Sequence, residues 1–184
     1  MKKRLNHEHL PLETLLSTRE HEFQRAFAYH ALDLLGDASN GVAYEPESDG
    51  LHIYAADETA MARAMELVQW HFPRHVELQC PQVRYRMGET LEEPIMDVTM
   101  TVPGQWLLAA QEELAPRDFE LLHSGVVPGN FLIQGQAPLR GLIGFAPRLA
   151  QITRGKAALS MTLSHYSPLH REPDLQEKRS STSA

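Results

Sequence analysis

The sequence lacks several features that would each point to a class of function. It has one cysteine, Cys80, which excludes a disulfide framework and an all-cysteine metal site. No basic residue adjoins this thiol to activate it, so we expect a structural role. No run approaches the ~20 apolar residues that cross a membrane. The basic residues 1–4 are not followed by the apolar stretch of a signal peptide, and a cytoplasmic protein is expected.

Acidic residues are missing from one long part of the chain. The net charge of −7 argues against a nucleic-acid partner, but no Asp or Glu occurs from residue 121 to residue 171. The basic residues of that stretch are Arg140, Arg148, Arg154, Lys156 and Arg171. This asymmetry indicates an anionic partner on one face, and an ordinary solvated face is the alternative.

The first half of the chain contains apolar residues at strand spacing and at helical spacing in successive segments. With 42% hydrophobic and 22% charged residues, the 184-residue chain has room for one medium domain or two small ones. Apolar residues at every second position predict strands, and helical spacing predicts helices. Thr18 and Asp57 are expected as helix N-caps. The predicted order is strand 9–17, helix 20–35, strands 42–47 and 51–55, helix 60–72 and strand 76–86.

The second half repeats this order after a polar stretch, 87–93, that has the composition of a linker. The predicted order is strand 95–102, helix 105–114, strands 119–123 and 130–136, helix 139–150 and strand 157–164. Pro147 favours a start of this last helix near Ala146. The sequence therefore predicts an α+β protein of two tandem ferredoxin-like βαββαβ sandwiches, at 9–87 and 93–166. Residues 167–184 lack periodicity and are predicted to be a disordered tail.

Several short motifs resemble one family of translation factors. Glu93-Pro94 ahead of a strand resembles the entry to the last domain of elongation factor G. PLRGLIGF at 138–145 is similar to the matching segment of BipA (TypA). TRGK at 153–156 and SMTLSHY at 160–166 resemble the family's last turn and closing strand. The resemblance covers about residues 92–166 and implies a domain V-like module.

The first half resembles domain III of elongation factor G more weakly, through PQVRYR at 81–86. The chain departs from the family at ADETAM, 56–61, where the family carries a glycine-rich opening to the second helix, and at 114–118, where it carries a basic run. Domain IV is absent, since residues 86 and 93 lie close together. BipA and LepA are similar in joining these two domains directly.

The resemblance implies contacts with rRNA and ribosomal proteins, and the basic segment is the expected place for them. Arginine offers forked donors to phosphate oxygens, and glycine lets a backbone approach closely. The expected ribosome- or RNA-binding residues are Arg140, Gly141, Gly144, Arg148, Arg154 and Lys156, on an edge free of acidic residues. A protein contact or a merely solvated face is the alternative use of the same residues.

No catalytic, metal or cofactor site is expected. The Gly-x-x-x-x-Gly-Lys-Ser/Thr phosphate loop is missing, which excludes nucleotide binding of that kind and with it GTP hydrolysis. His7 and His9 flank a carboxylate but are poorly organised for a metal. Ser164 and His165 are neighbours on a strand and point to opposite faces. No aromatic pair marks the central strands for RNA stacking.

Three functions remain open at this point. The first is a non-catalytic factor that binds the ribosome where translational GTPases bind and modulates translation. The second is a protein-interaction module of two ferredoxin-like domains with a non-ribosomal partner. The third is a fragment of a longer translational GTPase, against which the basic start at residues 1–4, typical of a natural N-terminus, argues mildly.

Overall fold

The first half of the chain folds as one antiparallel sheet with two helices. The computed structural model describes residue 7 and residues 9–19, 23–36, 41–73 and 76–169. The elements of the first half are β1 (Leu12–Thr18), α1 (Gln24–Leu35), β2 (Val42–Pro46), β3 (Leu51–Ala55), α2 (Glu58–His71), β4 (Val76–Leu78) and β5 (Gln82–Val83). The strands lie in the order β2-β3-β1-β4, with β1 in register opposite β3 from Leu12↔Ala55 to Leu16↔Leu51.

The last predicted strand of this half, 76–86, is interrupted. β4 pairs with one end of β1 and β5 pairs with the other, through Leu12↔Val83. The gap contains Cys80 and Pro81, and proline has no N–H to donate to a ladder. The expectation that Cys80 is a structural residue is wrong, because it is a free, exposed thiol at this break.

The two helices of the first half begin differently. Asp57 caps α2 as predicted, since its Oδ1 accepts the Ala60 N–H at 2.8 Å. Thr18 does not cap α1, which begins after Phe23. Instead the Gln24 side chain reaches back, accepting the Thr18 N–H and donating to its carbonyl at 3.0 and 2.6 Å. The predicted residues 20–22 of this helix lie outside the described residues.

The second half repeats the architecture around a long central strand. Its elements are β6 (Arg86–Met87), β7 (Leu91–Pro103), a short 3-10 helix (Gly104–Trp106), α3 (Leu107–Leu114), β8 (Glu120–Val127), β9 (Asn130–Pro138), α4 (Leu139–Leu142), α5 (Phe145–Ile152) and β10 (Ala158–Pro168). The strand order is β10-β7-β9-β8, the same arrangement as in the first sheet. The predicted fold class, α+β with two ferredoxin-like sandwiches, is confirmed.

The polar stretch 87–93 is not a linker. β6 pairs with the start of β7 through Arg86↔Glu92 and Met87↔Leu91, so the chain makes a hairpin here. β10 also runs further than predicted, to Pro168, and the Leu169 N–H donates to the Leu91 carbonyl at 2.8 Å. Of the predicted tail 167–184, residues 170–184 lie outside the described residues.

The core lies between each sheet and its pair of helices. Along β7 every second side chain is buried, and these are Met96, Val98, Met100 and Val102. α3 and α5 pack over that face, with Leu149 and the fully buried Phe145 of α5 in the same hydrophobic cluster. Burial on one face only is what a two-layer sandwich requires. Among the described residues, no helix is both long and apolar enough to cross a membrane.

Candidate functional site

The basic segment predicted as the site forms two short helices and a turn. The chain leaves β9, makes α4, breaks at Ile143 and Gly144, and continues as α5 from Phe145. Pro147 is the third residue of α5, where a missing N–H costs no intrahelical bond. The predicted single helix 139–150 is therefore two helices, and the second starts one residue before the expected position.

Both glycines of the segment are explained by contacts within the chain. A Cβ on Gly141 would lie 2.7 Å from the Arg117 carbonyl oxygen, so the close backbone approach predicted here is made to the protein itself. Gly144 has φ +77° and precedes α5. Its N–H donates to both carboxylate oxygens of Glu58 on α2 at 3.0 Å, which links the two sandwiches.

Arg140 is engaged with two carboxylates. Its Nε donates to Glu93 Oε2 at 2.7 Å, and its Nη2 lies 3.0 Å from Asp118 Oδ2. Glu93 is only 4% exposed, so Arg140 neutralises a buried charge. Burial works to lower the pKa of Arg140, but the bonds to Glu93 and then Asp118 outweigh it and raise that pKa overall. The residue has a structural task whatever else it binds.

Arg148 also faces an acid. Its Nε lies 3.3 Å from Glu113 Oε2 and its Nη1 donates to Gln151 Oε1 at 3.0 Å. Glu113 accepts a second, shorter bond of 2.6 Å from Arg117 Nη2. The Arg117 bond, and then that of Arg148, hold the pKa of Glu113 below its usual range.

The expectation of an edge free of acidic residues is therefore wrong in three dimensions. Glu93, Glu113 and Asp118 come from outside residues 121–171 and fold back onto the arginines of that segment. Counting charges along a sequence does not detect partners that the fold brings from elsewhere. Only Glu113, in the last turn of α3, and Arg117, four residues later in the turn that follows it, carried a local signal.

The other two cations stand apart on a turn formed by residues 153–157, here called the 153–157 turn. Both Arg154 and Lys156 are exposed, and among the described residues no carboxylate lies within ion-pair distance of either. Buried Thr153 holds the turn in place: its hydroxyl donates to the Leu149 carbonyl at 2.7 Å and accepts the Ala157 N–H at 3.3 Å. Two solvated cations on an anchored turn suit contact with phosphates.

The backbone of the 153–157 turn is left-handed at two consecutive residues. Arg154 has φ +52° and Gly155 has φ +72°. A side chain at positive φ is uncommon and costs about 1 kcal/mol. Gly155 lies three residues beyond Ile152, the last residue of α5. Nothing in the sequence indicated that Arg154, beside Gly155, also has a positive φ.

The remaining candidate groups have internal roles. Ser164 Oγ accepts a bond from Gln136 Nε2 at 3.2 Å, and the His7 ring stacks on Tyr54 at 4.2 Å. Glu8, between the two N-terminal histidines, lies outside the described residues. Glu47, Asp49 and His52 place three possible ligand atoms within 4.8 Å.

His52 is nevertheless a poor metal ligand. Its Nδ1 bonds to Glu13 Oε1 at 2.6 Å and its Nε2 to Asp49 Oδ1 at 3.1 Å. The bond to Glu13, assisted by Asp49, raises the pKa of His52 to about 9. The ring is therefore protonated at neutral pH and offers no lone pair to a cation.

The second sandwich is similar in sequence to known proteins. Residues 90–177 match the family model described as Elongation factor G C-terminus. Elongation factor G 2 of Bdellovibrio bacteriovorus is 30% identical over 89 residues, 48% of this chain and 12% of that protein. The mitochondrial elongation factor G of Aedes aegypti is 35% identical over 86 residues, 47% of this chain and 11% of that protein.

A longer match reaches into the first half. The mitochondrial elongation factor G of Drosophila mojavensis is 28% identical over 145 residues, 79% of this chain and 18% of that protein. The chain thus spans less than a fifth of the length of these relatives. The chain therefore contains an elongation factor G C-terminal-type domain, matched over residues 90–177, and through it is related to the translation elongation factors.

Proposed function

We propose that this is a non-catalytic, cytoplasmic protein that binds the ribosome where translational GTPases bind and modulates translation. The observation that carries the proposal is the 153–157 turn on an elongation factor G C-terminal-type domain. It presents Arg154 and Lys156 to solvent from a buried anchor, Thr153. Phosphates of rRNA are the partner that such a pair of cations recognises.

The charge pairing described above narrows the binding surface. Arg140 neutralises buried Glu93, and Arg148 shares Glu113 with Arg117. Both side chains are still partly exposed, that of Arg148 by 53%. They can therefore add a further contact to a phosphate at the edge of the surface. The net attraction for an anion comes from Arg154 and Lys156. The surface therefore contributes about two phosphate contacts, with further contacts supplied by shape and by ribosomal proteins.

Cosedimentation with ribosomes over a salt series tests this proposal. We expect the wild type to pellet with ribosomes and to dissociate as salt rises. The variant Arg154→Asn/Lys156→Gln removes both charges, and asparagine tolerates the left-handed backbone at position 154. It should bind more weakly and lower the slope of log affinity against log salt by about two.

A matched control places the same charge loss elsewhere. Arg19 and Arg25 are exposed in the first sandwich, just before α1 and on it, and Arg19→Gln/Arg25→Gln also changes the net charge by −2. This control should pellet like the wild type. Equal loss in both double variants would mean that binding follows overall charge and not the 153–157 turn, and the proposed surface would be wrong.

A second candidate function, a protein-interaction module, is favoured by one observation. The edge strand β8 exposes Leu121, Leu122 and Val126, the last by 78%. Beside it lies a cleft of about 180 Å³ lined by residues that include Leu114, Phe119 and Leu121. Exposed apolar strands at a sheet edge are sites where partner proteins add. Pelleting that is insensitive to salt and lost in Leu122→Lys would favour this candidate.

A further inference from the structure

A cleft at the junction of the two sandwiches lies outside the surface proposed above. It measures about 430 Å³ and is lined by Arg84, Tyr85, Arg86 and Tyr166. The first three span the short connection from β5 into β6, and Tyr166 lies near the end of β10. This volume is at the small end of the range for ligand sites and suits a single nucleotide, not a duplex.

The guanidinium groups of the cleft are held in place. Arg86 lies over the Tyr166 ring, 4.1 Å from its centroid, and Arg84 lies 4.5 Å from that of Tyr54. Arg84 Nη1 also donates to the carbonyls of His7 and Leu10 at 2.9 and 3.0 Å. Because these bonds fix the side chain before any ligand arrives, binding loses little conformational entropy.

The charge of the cleft is modest, and this selects the kind of ligand. Glu13 lies 3.4 Å from Arg84 Nε, and Glu92 faces Arg86 across the β6–β7 pair. Arg84 thus has a carboxylate within ion-pair distance and Arg86 has an acidic residue opposite it on the neighbouring strand, so a bare phosphate would gain little from the site. An aromatic ring can add the missing affinity, since a base stacked on an aromatic side chain gains about 1–3 kcal/mol.

Tyr85 is the ring available for stacking. It is 45% exposed and lines the cleft, whereas Tyr166 is already covered on one side by Arg86. We propose that the cleft binds one unpaired nucleotide of RNA, with its base against Tyr85 and its phosphate at Arg86. Recognition of splayed, unpaired bases by aromatic and arginine side chains is the usual way in which proteins read single-stranded RNA.

The experiment is fluorescence anisotropy of a labelled ten-nucleotide oligouridine RNA with the full chain. Tyr85→Ala should weaken binding about tenfold, and Tyr85→Phe, which keeps the ring, should bind within about twofold of the wild type. Arg86→Gln should reduce affinity and lower the salt slope by about 0.7, as expected for one phosphate. Because Tyr85 is exposed, the alanine variant should unfold at the same urea concentration as the wild type.

Competition identifies what the cleft recognises. Uridine monophosphate should displace the RNA at far lower concentration than inorganic phosphate, because only the nucleotide has a base to stack. Equal competition by the two, or unchanged binding in Tyr85→Ala, would overturn the proposal. A phosphotyrosyl peptide that displaces the RNA more effectively than the nucleotide would assign the cleft to a protein partner and would also overturn it.

RNA binding in the cleft and ribosome binding through the 153–157 turn can be tested separately. Arg154→Asn/Lys156→Gln changes a different surface and should leave binding through Tyr85 intact. If ribosome pelleting is absent but oligonucleotide binding depends on Tyr85, the cleft is an RNA site and the ribosome proposal is wrong. If pelleting depends on the 153–157 turn but Tyr85→Ala changes nothing, only the cleft proposal falls.

Discussion

At the scale of single residues, the contact of widest consequence joins Arg140 to Glu93. The carboxylate is almost fully buried, and its charge is tolerated because the guanidinium donates to it at 2.7 Å. Arg140 is therefore unsuitable as a probe of RNA binding, since its removal disturbs the fold.

The first prediction concerns that pair. Arg140→Ala should lower the free energy of unfolding by about 2 kcal/mol, less than for a fully buried pair because Arg140 is itself partly exposed. Urea denaturation measures this. Adding Glu93→Gln removes the unpaired charge and should recover part of the loss. If Arg140→Ala is as stable as the wild type, Glu93 does not depend on this partner.

The second prediction follows from the pair His52 and Glu13. The folded pKa of His52 is about 9, above its ordinary 6.5, so its contribution is complete below pH 6.5 and is lost as pH rises toward 9. The pKa of Glu13 is lowered, chiefly by its hydrogen bond from His52, so its contribution is complete above about 4.5 and is lost at lower pH. The pair therefore stabilises the folded state most between about pH 4.5 and pH 6.5.

Urea denaturation at pH 6 and pH 9 tests this pH dependence. The wild type should lose on the order of 2 kcal/mol between them through this pair. His52→Gln should be less stable at pH 6 and should show a smaller difference between the two conditions. An equal pH dependence in both proteins would show that His52 does not titrate between them.

At the scale of elements, the break between α4 and α5 is fixed by glycine on one side and by Arg117 on the other. Arg117 Nη1 donates to the carbonyls of Gly141 and Ile143 at 2.8 and 3.3 Å. Its guanidinium also lies 5.2 Å from the ring of Phe145, the first residue of α5. α4 and α5 thus keep their relative position through a residue that belongs to neither.

The third prediction compares the two glycines of this break. Gly141→Ala places a Cβ 2.7 Å from a backbone carbonyl and should cost about 2 kcal/mol, since the backbone must shift. Gly144→Ala meets no atom within 4 Å but keeps a positive φ, and should cost about 1 kcal/mol. Thermal unfolding of both variants shows which substitution costs more stability. A neutral Gly141→Ala would mean that α4 is not packed as described.

The elements themselves were largely predictable, because apolar alternation is a local property. The spacing along 95–102 and 60–72 located β7 and α2 to within a few residues. The hairpin of Arg86–Met87 with the start of β7 was not predictable, since strand pairing depends on residues that local polarity does not identify. The interruption at Pro81 was visible in the sequence, but its consequence for pairing with β1 was not.

The candidate site was predictable in part, because only features that are local in the sequence can be found from it. Sequence alone located the basic segment, and the structure places Arg154 and Lys156 on one exposed turn. The sequence did not indicate that Arg140 and Arg148 meet acids. The acids that they contact, Glu93 and Asp118 for Arg140 and Glu113 for Arg148, are distant from them in sequence. The ribosomal role of all six predicted residues stays a prediction.

At the scale of the whole molecule, the two sandwiches are joined by side-chain bonds as well as by the chain. Glu58 accepts the Gly144 N–H across the junction. A cleft of about 390 Å³ lies beside this contact, lined by residues of α2, α5 and β10 that include Arg63 and Ser160. Glu58 and Gly144 are themselves only half-buried, so the amide is accessible to water when the bond breaks.

The fourth prediction concerns this bond. Glu58→Ala removes both acceptor oxygens, so the Gly144 amide should exchange with solvent about tenfold faster, as expected for loss of a hydrogen bond to a charged group. NMR hydrogen exchange measures it. Thr59→Ala, the neighbouring position on α2, is the matched control and should leave that amide unchanged. Equal exchange in all three proteins would mean that the junction is not held by Glu58.

The break between β4 and β5 has a practical consequence. Cys80 lies there, exposed, and it is the one cysteine in the sequence. A maleimide dye will therefore attach at a single known position, without mutagenesis, and report the approach of a partner by energy transfer. The same thiol will cross-link two molecules under oxidising conditions, so preparations handled without reductant should contain covalent dimers that vanish on reducing gels.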